Sequence, residues 1–214
     1  MNNKLLIFDF DGTLVNSLPL WQKVDEIFFN KRRSINYSSE DIDFRPMSIE
    51  EAAIEAKNFY GIKDSIESIM NEWIEIVDGL YLTENILRSG AKELISKAKK
   101  QNYKLAVGTN NTIRLVDGFL KKEGIRKYFD LILTANDVEN SKPAPDIFLG
   151  IADKLKVKPE NSIVIEDSLS GTTAGKAANM FTYTIKEDES LEHKDEILKI
   201  TDKYIYSLNE VELF

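Results

Sequence analysis

The sequence predicts an α/β fold: a three-layer, Rossmann-like core around a mainly parallel sheet, with an α-helical bundle inserted near its start. Three observations lead there. Short apolar runs alternate with helix-periodic stretches over the last two thirds of the chain, the order that builds parallel sheets through crossover helices. The runs are bounded by turn-forming or polar residues, as buried strands are. Residues 17–83, in contrast, contain no clear buried strand and carry helical periodicity alone.

The first strand is Leu5-Leu6-Ile7-Phe8, stopped by Asp9. Leu20, Trp21, Val24, Ile27 and Phe28 then mark an amphipathic helix. Ser48-Ile49-Glu50-Glu51 reads as a capping box opening a second, with Ala52, Ala53, Ala56, Phe59 and Tyr60 inward and Gly61 at its end. Ile62, Ile66, Ile69, Met70, Trp73, Val77 and Leu80 mark a third. The aromatic residues here are read as the core of a small bundle rather than a ligand box. An insertion after the first strand explains the interruption economically. The domains expected are therefore a core, 1–16 and 84–214, and a helical insert, 17–83, hinged near Thr13–Ser17 and Asp78–Asn85. Hinged closure of such an insert would exclude water from a site.

Beyond the insert a helix is expected from Ala91 to Lys100, then strands near 104–108, 131–134, 162–165 and 181–185. Leu115, Val116, Phe119 and Leu120 define a helix capped by Asn111 and stopped by Gly124. Pro145 suits the first turn of the helix carrying Phe148, Ile151, Ala152 and Leu155. Gly171 opens a helix with Ala174, Ala177 and Ala178. Phe181-Thr182-Tyr183-Thr184-Ile185 alternates like an outer strand, and Lys203-Tyr204-Ile205-Tyr206 adds a sixth.

Ligands of α/β sheets collect at the carboxyl ends of strands, and there the chain places its reactive residues. Asp9-Phe10-Asp11-Gly12-Thr13 ends the first strand in two carboxylates separated by one residue, so that alternation returns Asp11 to the side of Asp9. Gly12 lets the backbone turn and leaves its amide open to an anion. The second strand ends in Thr109-Asn110-Asn111, a hydroxyl and free amides that suit a phosphate oxygen. Ser141-Lys142-Pro143-Ala144-Pro145-Asp146 presents Lys142 from a loop stiffened by prolines. The run Ile163-Val164-Ile165 ends in Glu166-Asp167-Ser168. Its two acids would repel each other and Asp9, a conflict that a divalent cation resolves; hard oxygen donors suit Mg²⁺. Each piece alone also has an ordinary reading, as a turn, a helix cap, a solvated lysine or a solvated strand end. Four together, in this order, are specific.

Together these motifs resemble the haloacid dehalogenase superfamily of aspartyl-phosphate-forming enzymes: DFDGTL at 9–14, Thr109, Lys142 within SKPAPD, and EDS at 166–168. The likeness covers nearly the whole chain, including EDSLSGTTAGKAANM, and is strongest to the helical-cap subfamily of phosphoglycolate-phosphatase-like and β-phosphoglucomutase-like enzymes. Asn16 stands where the family usually has Asp, and Asn179 where it usually has Gly; Asn tolerates a left-handed helix end.

The resemblance implies that Asp9 is the nucleophile and Asp11 the acid and base. It implies Mg²⁺ held by Asp9, Asp167 and the main-chain carbonyl of Asp11, with Glu166 beside it in either a direct or a supporting place. Gly12, Thr109, Asn110 and Lys142 would bind phosphate oxygens. The expected function is a Mg²⁺-dependent phosphatase of a small phosphate monoester, of the phosphosugar, phosphoglycolate or nucleotide class. A sugar phosphomutase is the alternative, and a non-catalytic phospho-ligand module a weaker one. Receiver domains share a strand-end Asp, Thr, Lys and Mg²⁺, but lack the second carboxylate and the insert. In β-phosphoglucomutase-like enzymes an Arg lies early in the second cap helix. An ungapped reading puts Ile49 there, with Arg45 four residues earlier, which favours phosphate release.

Composition narrows the alternatives. The 214 residues, 43% hydrophobic and 30% charged, fit a globular enzyme. The net charge of −8 disfavours nucleic acid and anionic membranes as partners. Without cysteine the chain has no thiolate chemistry, and its single histidine, His193, lies in a polar stretch far from any strand end. No signal peptide or membrane span is visible. A cytoplasmic monomer is expected.

Overall fold

Apolar runs and periodic stretches alternate along the chain as β1 (Lys4–Phe8), α1 (Leu18–Asn30), α2 (Ile49–Tyr60), α3 (Ile66–Thr83), α4 (Ala91–Lys100), β2 (Tyr103–Thr109), α5 (Ile113–Lys122), β3 (Leu131–Thr134), α6 (Asp146–Leu155), β4 (Ser162–Glu166), α7 (Leu169–Ala177), β5 (Phe181–Ile185), α8 (Lys194–Ile200) and β6 (Lys203–Ile205). These elements come from a computed structural model that describes residues 4–32, 35, 37, 38, 41, 42, 49–84 and 86–214. Among them no helix is long and apolar enough to cross a membrane. The chain divides into two compact units, one of Met1–Asn16 with Ile86–Phe214 and one of Ser17–Asn85.

The first unit is built on a six-stranded sheet in the order β3-β2-β1-β4-β5-β6. Every neighbouring pair is parallel. Parallel strands are covered on both faces and therefore read as unbroken apolar runs; Leu5, Leu6, Ile7 and Phe8 of β1 are all fully buried. On one face Leu5, Ile7, Ala106 and Val164 pack with Phe148 and Ile151 of α6 and Ala174 of α7. The order turns at β1: the chain goes on to β2 at one flank, and β4 pairs at the other. A crevice at such a switch point is the usual binding place in this architecture.

Two local expectations are corrected. Thr112, not Asn111, caps α5, its side chain accepting from the Leu115 amide at 3.4 Å. β5 is not the outer strand, because β6 lies beyond it. Its alternation does not separate a buried from a solvated face: Phe181 is 37% exposed, while Thr182, Tyr183, Thr184 and Ile185 are all buried. The buried hydroxyls are satisfied, Thr184 by Thr172 and Thr201 at 2.8 Å each and Thr182 by the Met180 carbonyl at 3.2 Å, so burial carries little penalty. Gly124 and Asn179 adopt left-handed φ of 71° and 57° after their helices.

The two segments by which the first unit continues into the second lie side by side. Val15 bridges Leu87 antiparallel, the Asn16 amide donates to the Ile86 carbonyl at 2.8 Å, and the Arg88 amide donates to Leu14 at 2.9 Å.

The second unit holds α1, α2 and α3. Leu20, Val24, Phe28 and Phe29 of α1, Ala52, Ala53 and Ala56 of α2, and Ile69, Trp73, Val77 and Tyr81 of α3 are buried. The alanines let α2 approach closely, and the aromatics fill the space: Phe28 meets Trp73 edge-on at 5.3 Å, and Phe29 stacks on Tyr37 at 4.3 Å. Arg32 lays its guanidinium 3.7 Å over the Phe28 ring and pairs with Asp64 and Glu72 at 2.7 and 2.8 Å. Ser65 caps α3. Trp21 and Phe59, expected in the bundle core, are 41% and 57% exposed. Ser48 of the expected capping box, Arg45 and Asn85 lie outside the described residues; Ile49 begins α2.

Candidate active site

Asp9 follows β1 directly, and its amide still donates to the Ile165 carbonyl of β4 at 2.9 Å. Thr109 is the last residue of β2 and Glu166 the last of β4. Parallel pairing to both flanks of β1 therefore brings Asp9, Thr109, Glu166 and Asp167 to the same end of the sheet. The loop before α6 sends Lys142 into this group. Its ammonium contacts Asp9 Oδ1 at 2.5 Å, Glu166 Oε1 at 2.5 Å and the Gly108 carbonyl at 3.1 Å. Three acceptors match its three N–H bonds, and its side chain is only 5% exposed. The lysine is thus a buried fixture rather than a solvated charge.

Glu166 is used on both oxygens. While Oε1 receives Lys142, Oε2 accepts from the Asp167 amide at 3.0 Å and the Ser168 hydroxyl at 3.2 Å. Asp167 accepts from the Thr13 hydroxyl at 3.1 Å. Two glycines make room for these acids. A Cβ on Gly12, whose φ is 75°, would stand 2.2 Å from Asp167 Oδ2, and one on Gly171 would stand 1.9 Å from Glu166 Cδ.

Carboxylate oxygens of Asp9, Glu166 and Asp167 lie within 4.8 Å of one another. Burial pushes the Asp9 carboxyl well above the usual range, Glu166 and Asp11 push it the same way, and Lys142 opposes them. Asp167 is raised in the same direction, by burial first and then by Glu166 and Asp9. Burial alone would lower the Lys142 amine, but Asp9 and Glu166 outweigh it and hold the amine above its ordinary value. One ammonium therefore faces three carboxylates in a desolvated place, an imbalance that a divalent cation with hard oxygen ligands would remove.

Asp11 sits half-buried beside this group, and one of its oxygens accepts from the Asn111 side-chain amide at 3.0 Å. The Thr109 hydroxyl oxygen accepts from the Asn111 backbone amide at 3.0 Å, which leaves its own proton to give away. Gly12 lies in the turn that bridges Asp11 to Val15, and Asn110, next to Thr109 at the end of β2, is exposed. Asp9, Asp11, Gly12, Thr109, Asn110, Lys142, Glu166 and Asp167 all lie in the first unit.

Sequence reasoning did not find three further contacts. Asn111 serves Asp11 rather than the helix. Thr13 holds Asp167. Arg88 donates both to the Gly12 carbonyl and to Glu187, tying the turn after β1 to the segment after β5. The partners are 76 and 99 residues apart in sequence, beyond the reach of any local pattern.

Known proteins resemble this chain in sequence and fold. The model of the haloacid dehalogenase-like hydrolases matches residues 6–185. A phosphorylated carbohydrates phosphatase of Thermotoga maritima is 32% identical, over 82% of this chain and 81% of its own length. Hexitol phosphatase B of Escherichia coli is 26% identical, over 96% and 92%. CbbY of Rhodobacter sphaeroides, solved with xylulose-(1,5)-bisphosphate, shares the fold with a TM-score of 0.79 at 24% identity, over 99% of this chain and 97% of its own. Sequence, sheet topology and site converge: this chain belongs to the haloacid dehalogenase-like hydrolases and is an enzyme of the phosphatase class.

Proposed function

We propose that the protein hydrolyses a small phosphorylated carbohydrate with the help of Mg²⁺, through an aspartyl phosphate on Asp9. One observation supports this most: Asp9 and Asp11 follow the central strand, with Lys142 locked onto Asp9 and Asp167 beside it. The carbohydrate class rests on the relatives, which are named for phosphorylated carbohydrates and hexitol phosphates.

In this reading Asp9 attacks phosphorus and Asp11 protonates the departing oxygen; Asp11 then takes a proton from the water that attacks the aspartyl phosphate. Lys142 neutralises Asp9 and the phosphoryl oxygens and restrains Asp9, while the Thr109 hydroxyl and the Gly12 and Asn110 amides hold phosphoryl oxygens. Asp9, Asp167 and the Asp11 main-chain carbonyl would hold Mg²⁺. Glu166, with both oxygens engaged by protein donors, supports that set without joining it. Bound there, the cation would offset the charge of the transferring group. The helical second unit acts as the cap that selects the substrate. The protein works as a cytoplasmic monomer and needs no nucleic acid or membrane.

The test is a phosphate-release screen over hexitol phosphates, sugar phosphates, phosphoglycolate and nucleotides, with Mg²⁺ and with chelator. Release from a phosphorylated carbohydrate only when Mg²⁺ is present, with Ca²⁺ inhibiting, is expected; full activity in chelator would refute the metal assignment. β-Glucose 1-phosphate with a trace of the 1,6-bisphosphate separates the mutase. Glucose 6-phosphate forming faster than free phosphate would replace hydrolysis by isomerisation.

A further inference from the structure

We infer that Asn111 is a positioning residue for Asp11: it holds Oδ2 of that carboxyl and thereby turns Oδ1 toward the oxygen leaving phosphorus. The inference rests on the proton-transfer role proposed for Asp11.

The geometry assigns the amide. A side-chain amide is normally ambiguous between its oxygen and nitrogen. Here the Asn111 Oδ1 accepts from the Thr112 amide at 2.7 Å, so Nδ2 is the atom 3.0 Å from Asp11 Oδ2. The Asn111 backbone is fixed as well, its amide donating to Thr109 Oγ1. Asn111 is therefore held at its amide oxygen and its backbone, and its remaining polar end reaches Asp11.

The consequence follows from donor chemistry. The last torsion of an aspartate is broad, and a donor on one carboxyl oxygen narrows its setting. An NH₂ group only donates, so Oδ2 serves as acceptor and the proton in transit belongs on Oδ1. In the first step the Asp9 oxygen forms a bond to phosphorus as the bond from phosphorus to the leaving oxygen breaks, and the proton on Oδ1 passes to that oxygen. In the second, water forms its bond to phosphorus and gives a proton to Oδ1 as the bond to Asp9 breaks. Asn111 stays a donor to Oδ2 throughout and exchanges no proton.

The experiment compares kcat/KM for a hexitol phosphate and for p-nitrophenyl phosphate, whose leaving group departs without a proton. The proteins are the parent, Asn111→Ala, Asn111→Ser, Asp11→Asn and the Asn111→Ala/Asp11→Asn double variant. Asn111→Ala is expected to slow the hexitol phosphate by roughly 10- to 100-fold, a fraction of what full loss of an acid costs, and the aryl phosphate much less. Asn111→Ser, which keeps a donor, should recover part of the loss. In the Asp11→Asn background the alanine should cost nothing further. Equal slowing of both substrates, or the same loss with Asp11 already replaced, would show that Asn111 serves the Thr109 loop instead and overturn the inference. If Asp11→Asn itself slows both substrates equally, the role of Asp11 falls and Asn111's with it, a pattern distinct from lost coupling alone. Should Asn111→Ala not fold, Asn111→Ser in the two backgrounds decides by the same criterion.

Discussion

The two units spend their buried positions differently. In the first, Asp9, Thr109, Glu166, Thr172, Thr182, Thr184 and Glu187 are all buried, and each carries a definite partner. In the second, the only buried polar residue among those described is Ser17; its core is hydrocarbon and aromatic. The surfaces reverse the pattern. The second unit leaves Trp21, Ile27, Ile54, Phe59, Ile74 and Leu82 exposed, among the described residues nearly half of the large exposed apolar side chains in about a third of the chain. A hydrogen-bonded polar core tolerates little change, because a lost partner strands a buried group at about 1–3 kcal/mol. A hydrocarbon bundle tolerates exchange among side chains of similar volume. Chemistry should therefore be brittle in the first unit and selectivity adaptable in the second.

The sharpest way to break this contrast is Asp9→Asn. Turnover should fall by at least about four orders of magnitude, as when a lone nucleophile is removed. Melting should be unchanged or higher, since the substitution removes a charge that burial disfavours more than Lys142 favours it. Measured activity above a trace, at a purity excluding parent enzyme, would remove Asp9 from the mechanism. Next in size is Gly171→Ala. A methyl group there must displace the Glu166 carboxylate, and with it the contact to Lys142, so we expect a loss of about 100-fold or more, the scale of one lost catalytic donor. A near-normal rate would mean that Glu166 need not stand where it does.

Replacing residues 17–83 by a short linker tests the other side. Selectivity among phosphate esters should collapse by about tenfold or more, while aryl phosphate hydrolysis should persist, because a hydrophobic site discriminates by about 1–3 kcal/mol per contact. Unchanged selectivity would show that the helical unit does not choose substrates.

The smallest effect is on stability. In the second unit burial pushes the Asp25 carboxyl up to about 7, Glu26 adds to this, and a hydrogen bond from Tyr37 opposes it. Unfolded, the same proton leaves near pH 4. Between about pH 4 and 7 the folded state thus binds more protons, and stability falls as pH rises through that window. Asp25→Asn should flatten this slope, raising stability at pH 8 by on the order of 1–2 kcal/mol and leaving it unchanged at pH 4. Equal melting curves at both pH values would show that Asp25 titrates normally.

The sheet was legible because buried parallel strands need unbroken apolar runs, and the acids and Thr109 were legible because they end those runs. Lys142 was legible as a braced residue, but its burial was not, since that depends on Glu166 and Gly108 arriving from other strands. Asn111 was misread as a cap because Asn at a helix start ordinarily is one; the competitor was Asp11, 100 residues away. Thr182 and Thr184 misled for a related reason: their period suits a solvated face, yet the Met180 carbonyl satisfies Thr182 inside and the hydroxyls of Thr172 in α7 and of Thr201 satisfy Thr184. Phe59 and Trp21 kept helical spacing but fell on the margin of the apolar stripe, where periodicity cannot separate buried from exposed.

The pairing of Val15 with Leu87 and of Asn16 with Ile86 has a polymer consequence. Joining two chain ends across a flexible loop of about seventy residues costs only about 2 kcal/mol more than across ten, because closure entropy grows with the logarithm of length. Here the ends are zipped into a stem by backbone hydrogen bonds, so the core meets a short closed pair of segments whatever the length of the insert. Such a stem would let an insert of another length close on the same two segments at a closure entropy that changes only slowly with its length.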